Sequence, residues 1–249
     1  MTKYIKAEFY RAFHSPIYKK FLIFCVGMMA LLLAVWKPFG QDYVDIMTGL
    51  SFLAIVAILI VISIAMALAF KTKDTRVQIL SFGMTRSQMY FYDLVTMQAI
   101  SVVTTLILGA MAYVTAFIAD LTGLSPVPQG AYQGFGLFLV RLILLSLNLN
   151  NAIFGLSYLL NSQALGIIGH IAIIPAVLNI ALSFTMEKPL GQYILKLLQI
   201  QPHNLLQTFA PDGFSVDPDW PKILGVGVIY VLVGFLIPGL IAFRKREIY

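Results

Sequence analysis

Leu94 to Ile118 reads LVTMQAISVVTTLILGAMAYVTAFI, an apolar run without a charged side chain. As a helix rising about 1.5 Å per residue, it is long enough to cross a hydrocarbon core of about 30 Å. Five further runs, at 21–36, 49–70, 137–160, 164–185 and 223–243, are also apolar, with Arg141 the one Lys, Arg, Asp or Glu among them. Backbone facing lipid must satisfy its own hydrogen bonds, so all six runs are predicted to be transmembrane helices. A membrane barrel would instead show weak alternating segments of about ten residues. The 249 residues are 59% hydrophobic and 11% charged, far more apolar than a soluble core of that size needs. The predicted fold class is therefore all-α, a polytopic membrane protein with six transmembrane helices forming one domain over residues 1–249.

The segment before the first run, MTKYIKAEFYRAFHSPIYKK, is charged well past the n-region of a secretion signal, and no small-residue cleavage site follows. The first span is expected to stay in the mature protein. The single cysteine, Cys25, lies within it and reads as a packing residue.

Orientation follows from the basic residues. With the N-terminus inside, twelve of the 17 Lys and Arg residues fall in inner segments, and only Lys37, Lys188, Lys196 and Lys222 fall in outer ones. This positive-inside bias predicts that both termini are cytoplasmic. The net charge of +6 is then a consequence of topology and anionic headgroups, not of nucleic-acid binding. The outer connections carry Asp42, Asp45, Asp120, Glu187, Asp212, Asp217 and Asp219. That acidic rim suits attraction of cationic peptides, and it also follows simply from keeping Lys and Arg inside.

Residues 1–18 are predicted as an amphipathic helix on the inner leaflet. Tyr4, Ile5, Phe9, Ala12 and Phe13 recur at helical spacing among Lys3, Lys6 and Arg11, and Ser15-Pro16 ends the pattern. Between the second and third runs, residues 71–93 read KTKDTRVQILSFGMTRSQMYFYD. Asp74 and Thr75 offer an N-cap, Val77, Ile79 and Leu80 an apolar patch, and Gly83 a break before Thr85, Arg86 and Ser87 begin another helix. An ordinary connecting loop is shorter and less apolar, so this one is expected to meet a partner.

With its IKAEFYR helix, six spans and the loop LSFGMTRSQMYFYDLV, the chain resembles the permease subunits of type-2 ATP-binding-cassette exporters. The family pattern of a small residue and Gly, then Ser or Thr with Arg, then an aromatic residue, is met by Ser81, Gly83, Thr85, Arg86 and Tyr90 or Tyr92. Phe82 before the Gly, and Asp93 where a Lys is common, depart from it. The resemblance implies a coupling helix that contacts a separate ATPase subunit through Asp74, Arg76, Val77, Ile79, Leu80, Gly83, Thr85 and Arg86. It also implies ATP and Mg bound by that subunit, a second permease chain as homodimer or heterodimer partner, and a bacterial cell membrane location. This chain holds no G-x-x-x-x-G-K-[ST] run, no catalytic residue and no metal site, so it is expected not to be an enzyme by itself.

Polar residues within the spans are the other candidates. Arg141 suits either snorkelling to the interface or contact with a substrate. Asn148 and Asn151 share a helical face and suit interhelical hydrogen bonding or a translocation path. A lone His170 near Pro175 reads as hydrogen-bonded structure, and Pro175 and Pro238 as kinks. Ser63, Ala65, Ala67 and Ala69, with Gly225, Gly227 and Gly234, are small enough for close helix packing. The outer loop, 186–222, begins with an amphipathic stretch and ends turn-rich, which suits a lid or a structural hairpin.

An intramembrane protease with Ser157 and His170 fails on context, because Tyr158 follows the serine where Gly belongs. A secondary transporter fits less well, because the spans carry almost no buried ionisable residue for ion coupling and no detectable repeat between the halves. The resemblance implies export of hydrophobic or amphipathic peptides, in toxin secretion or antimicrobial-peptide immunity. Lipid or drug export, or a passive membrane scaffold, is the alternative.

Overall fold

The computed structural model describes residues 2–39, 50, 57, 60–68, 73–124, 127, 131–186, 189–199 and 220–245. All regular structure among them is helical. The helices are α1 (Thr2–His14), α2 (Pro16–Phe39), α3 (60–68), α4 (Lys73–Ser81), α5 (Arg86–Leu121), α6 (Ala131–Leu160) and α7 (Gln163–Ile168). A π-helical turn, Gly169–Ile173, joins α7 to α8 (Ile174–Thr185), and α9 (Pro189–Gln199) follows. A second π-helical turn, Leu232–Leu236, joins α10 (Trp220–Val231) to α11 (Ile237–Lys245).

Five helical stretches are long and apolar enough to cross a membrane: Pro16–Ala34, Arg86–Leu121, Tyr132–Leu160, Gln163–Thr185 and Leu224–Lys245. The chain is a multi-pass membrane protein. Of the span predicted at 49–70, half lies outside the described residues, and 60–68 is helical. The outer loop beyond Gln199 also lies outside them, up to Trp220.

Local chemistry sets the helix ends. Pro16, whose missing N–H is no loss in a first turn, opens α2, and the Ile17 amide donates to Ser15 Oγ at 3.3 Å. Thr85 caps α5 through a capping box, its Oγ1 accepting from the Gln88 amide at 3.2 Å while Gln88 Oε1 accepts from the Thr85 amide at 2.9 Å. Asp74 and Thr75, expected to cap the preceding helix, lie instead within α4, which extends back to Lys73. At the far end of α5, Leu124 N–H donates to Ala119 O and Gly123 N–H to Asp120 O, with Gly123 at φ +67. This is a Schellman ending, in which a left-handed residue lets the last carbonyls find donors. Thr85→Ala is expected to cost about 1 kcal/mol, read as a lowered midpoint in an SDS unfolding titration followed by circular dichroism.

The two π-helical turns have one cause. A proline ring clashes with the carbonyl four residues earlier, which is Ile171 for Pro175 and Gly234 for Pro238, both inside a π turn. Each span widens into a π turn just before its proline and continues as a helix.

The α5 and α6 helices form the buried centre, with α2 and the α7–α8 and α10–α11 spans around them. The close crossing of α6 with the last span falls on Gly155 and Gly239. A Cβ on Gly155 of α6 would lie 2.5 Å from the Phe235 backbone, and one on Gly239 would lie 2.4 Å from Gly155 O. Gly225 has open space beside it and Gly234 meets only Tyr230 at 3.9 Å, so neither makes the crossing. The α1 helix is present, with Ala12 fully buried and Phe9 and Phe13 packed on the core.

Candidate functional site

Helix α4 is held to the bundle by a cation buried among aromatic rings. Arg76 is only 4% exposed. Its guanidinium carbon lies 4.9 Å from the Tyr158 ring centre and 5.5 Å from that of Phe243, and Nη1 donates to Asn161 Oδ1 at 3.2 Å. Asn161 takes φ +56 in the turn after α6, a conformation asparagine tolerates better than most residues. That turn thus ends α6 and receives α4.

Tyr158 stands between two opposite charges. Its ring carries Arg76, and its hydroxyl donates to Asp93 Oδ2 at 2.7 Å, on a carboxylate with no exposed surface. The Tyr4 hydroxyl donates to Asp93 Oδ1 at 3.4 Å, bringing α1 into the same cluster. Burial, then the Asp93 and Glu8 carboxylates, hold the Tyr4 phenol well above its ordinary pKa, so it stays a donor. Tyr90 packs edge-on against Phe154 and Tyr158, with centroids 4.9 and 4.8 Å apart, and donates to Leu236 O at 2.9 Å in the second π turn. One aromatic and charged cluster therefore joins α1, α4, α5, α6 and α11. Charge-assisted hydrogen bonds and a desolvated cation–π contact are among the stronger polar interactions a protein makes, and here they tie five helices together at one end of the bundle.

The coupling-loop candidates divide between this cluster and the surface. Arg76 is in the cluster, Ile79 and Leu80 pack half-buried on the main core, and Arg86 donates through Nη1 to Arg244 O at 2.8 Å, bonding the end of α11. Asp74 lies in the first turn of α4. Val77, Gly83 and Thr85 face outward, with Gly83 at φ +86 forming the turn. The residue at the tip is Phe82, a departure from the family pattern, 88% exposed. Its position beside a turn glycine was the available signal.

Within the spans, Gln98 Nε2 bonds Asn151 Oδ1 and donates to Leu147 O at 3.2 Å, tying α5 to α6. Asn148 is buried, and its amide has no hydrogen-bond partner among the described residues. Of the two, Asn151 makes the interhelical hydrogen bond. Arg141 is partly buried on α6. His170 is fully buried in the first π turn, edge-on to Phe235 of the second at 5.4 Å between centroids.

No protein-family model matches the chain, and no curated protein is significantly similar to it.

Proposed function

We propose that the chain is the permease subunit of an ATP-driven exporter, with ATP and Mg bound by a separate ATPase subunit and a second permease chain beside it. The observation that carries this reading is the α4–turn–α5 device. It presents an exposed Phe82 and a 40% exposed Val77 on one side and is keyed into the bundle by Arg76 and Arg86 on the other. A bare aromatic at a rigid tip suits a socket on a partner, and its anchoring lets a push at the tip move α5, α6 and α11 together. The cargo is a hydrophobic or amphipathic peptide leaving the bacterial cell membrane, which the aromatic-rich and largely uncharged spans suit.

The test is ATP hydrolysis in material co-purified with the full chain in mild detergent. Wild type is expected to bring down ATPase activity, and the pair Phe82→Asp and Val77→Asp to reduce it by at least about thirtyfold, the weight of a buried aromatic anchor. Both positions are exposed, so thermal stability of the free chain stays unchanged. ATPase activity absent from wild type, or equal in the variant, removes the exporter reading.

A further inference from the structure

The two π turns sit face to face. His170, fully buried in the first, meets Phe235 of the second edge-on, and just beyond the turns Ile174 and Tyr230 pack with Ala152, Val231 and Phe235 in one small cluster. On the side toward the Arg76 cluster, both spans are fastened to α6. Gly166 and Gly169 of the first span lie against Ser157 and Leu156, Gly239 of the second lies against Gly155, and the Tyr90 hydroxyl holds Leu236 O. On the other side of the turns the fastening thins. No residue of α8 is buried, and α10 buries Gly227 and Val231 while exposing Val226, Val228 and Ile229. Helix α9 turns back on the end of α8, with Gly191 against Thr185 O, so α8 and α9 form one piece.

Asn148 lies on the α6 side that these loosely fastened halves cover. It is one turn along α6 from Ala152, away from the Arg76 cluster, and so shares the side of that helix that meets Val231 and Phe235. Its side chain is 2% exposed, and neither amide atom has a hydrogen-bond partner among the described residues. A polar group buried without a partner destabilises the state that buries it. The packing seen over Asn148 therefore carries a bias toward opening. The π turns supply the means, because Pro175 and Pro238 each remove a backbone donor where the helix has already widened. A hinge needs only a few such residues that absorb the change in backbone angle.

We propose that the two π turns form one hinge, about which α10 and the α8–α9 piece swing away from α6 and open a cleft in which water reaches Asn148. The fastened halves of the same spans, α7 and α11, stay on α6. The motion belongs to the single chain and needs no ATPase subunit, so it stands or falls separately from the exporter reading.

Double electron–electron resonance tests this on the full chain in lipid nanodiscs that hold one copy each, in a Cys25→Ser background. A spin label at Leu137→Cys on α6 is paired in turn with one at Phe184→Cys on α8, Val226→Cys on α10 or Leu165→Cys on α7, all exposed positions. The Phe184 and Val226 pairs are each expected to show two distance populations, and the Leu165 pair one. Asn148→Leu, of similar size and without the amide, is expected to lower the ratio of the longer to the shorter population at least about fivefold in both mobile pairs, the weight of one unpartnered polar group. A single population at Phe184 and Val226, equal spread at Leu165, or a ratio that Asn148→Leu leaves unchanged overturns the proposal. If Asn148→Leu fails to fold by circular dichroism, the three pairs with Asn148 in place decide alone.

Discussion

Asp93→Ala is expected to lower the free energy of unfolding by about 3–5 kcal/mol, the loss seen when one member of a buried charged set is removed. The carboxylate has no exposed surface and accepts from Tyr158 at 2.7 Å, while Arg76 lies on the other side of the same ring. Without Asp93, the Tyr158 hydroxyl loses its acceptor and the Arg76 cation stays buried with no carboxylate behind the ring. Two graded controls separate the contributions. Tyr158→Phe keeps the ring under Arg76 and removes only the donor, an expected loss of about 1.5–3 kcal/mol for a hydrogen bond to a charged group. Tyr4→Phe removes a longer contact of 3.4 Å and is expected to cost less than either. The pair Arg76→Met with Asp93→Leu is expected to recover much of the loss, because an apolar replacement needs no compensation for desolvated charge. SDS titrations followed by circular dichroism give the order. If Tyr158→Phe and Asp93→Ala both match wild type, the cluster does not fasten α4, and the mechanical half of the exporter proposal loses its support.

The same cluster marks where the sequence could and could not be read. The helix, break and second helix between Lys73 and Arg86 were legible because Gly83 and the Thr85–Gln88 capping box are local signals. Five spans were legible from apolar length alone. The partnership of Arg76 with Asp93 was not. Tyr158, which touches both residues, is far along the chain, and α4 is too short and too evenly polar to show which side faces the bundle. Asp93 stood out in the sequence only as an unusual residue in a resembling loop, when its role is to sit buried beneath tyrosines.

The candidate polar path shows the converse limit. Asn148 and Asn151 do share a helical face by spacing, yet hydrogen bonding depends on the neighbour, and only Asn151 meets Gln98 of α5. Pro175 and Pro238 announced that two spans deviate. That each deviates by a π turn, and that the turns meet through His170 and Phe235, depends on how the carbonyls before each proline are repacked. Local sequence fixes the place of such a feature, and tertiary contact decides its form.

The second large effect is expected at Gly155. Alanine there puts a Cβ 2.5 Å from the Phe235 carbonyl, and backbone on both sides leaves no side chain free to swing away. The crossing must open, at an expected loss of about 3 kcal/mol for Gly155→Ala and more for Gly155→Val. Opening it also draws Leu236 O from the Tyr90 hydroxyl, now 2.9 Å away, so the damage reaches the aromatic cluster. Gly225→Ala is the internal control, because its surroundings are open and alanine is the better helix former by about 1 kcal/mol. SDS titration is expected to move the two variants in opposite directions, although both change one glycine to alanine in an apolar helix. Equal shifts would mean that α6 and the α10–α11 span do not cross where Gly155 and Gly239 meet. Opposite shifts would locate a close contact of this bundle where Gly155 and Gly239 face each other, and would explain why Gly225, with open space beside it, is not the glycine that holds these helices together.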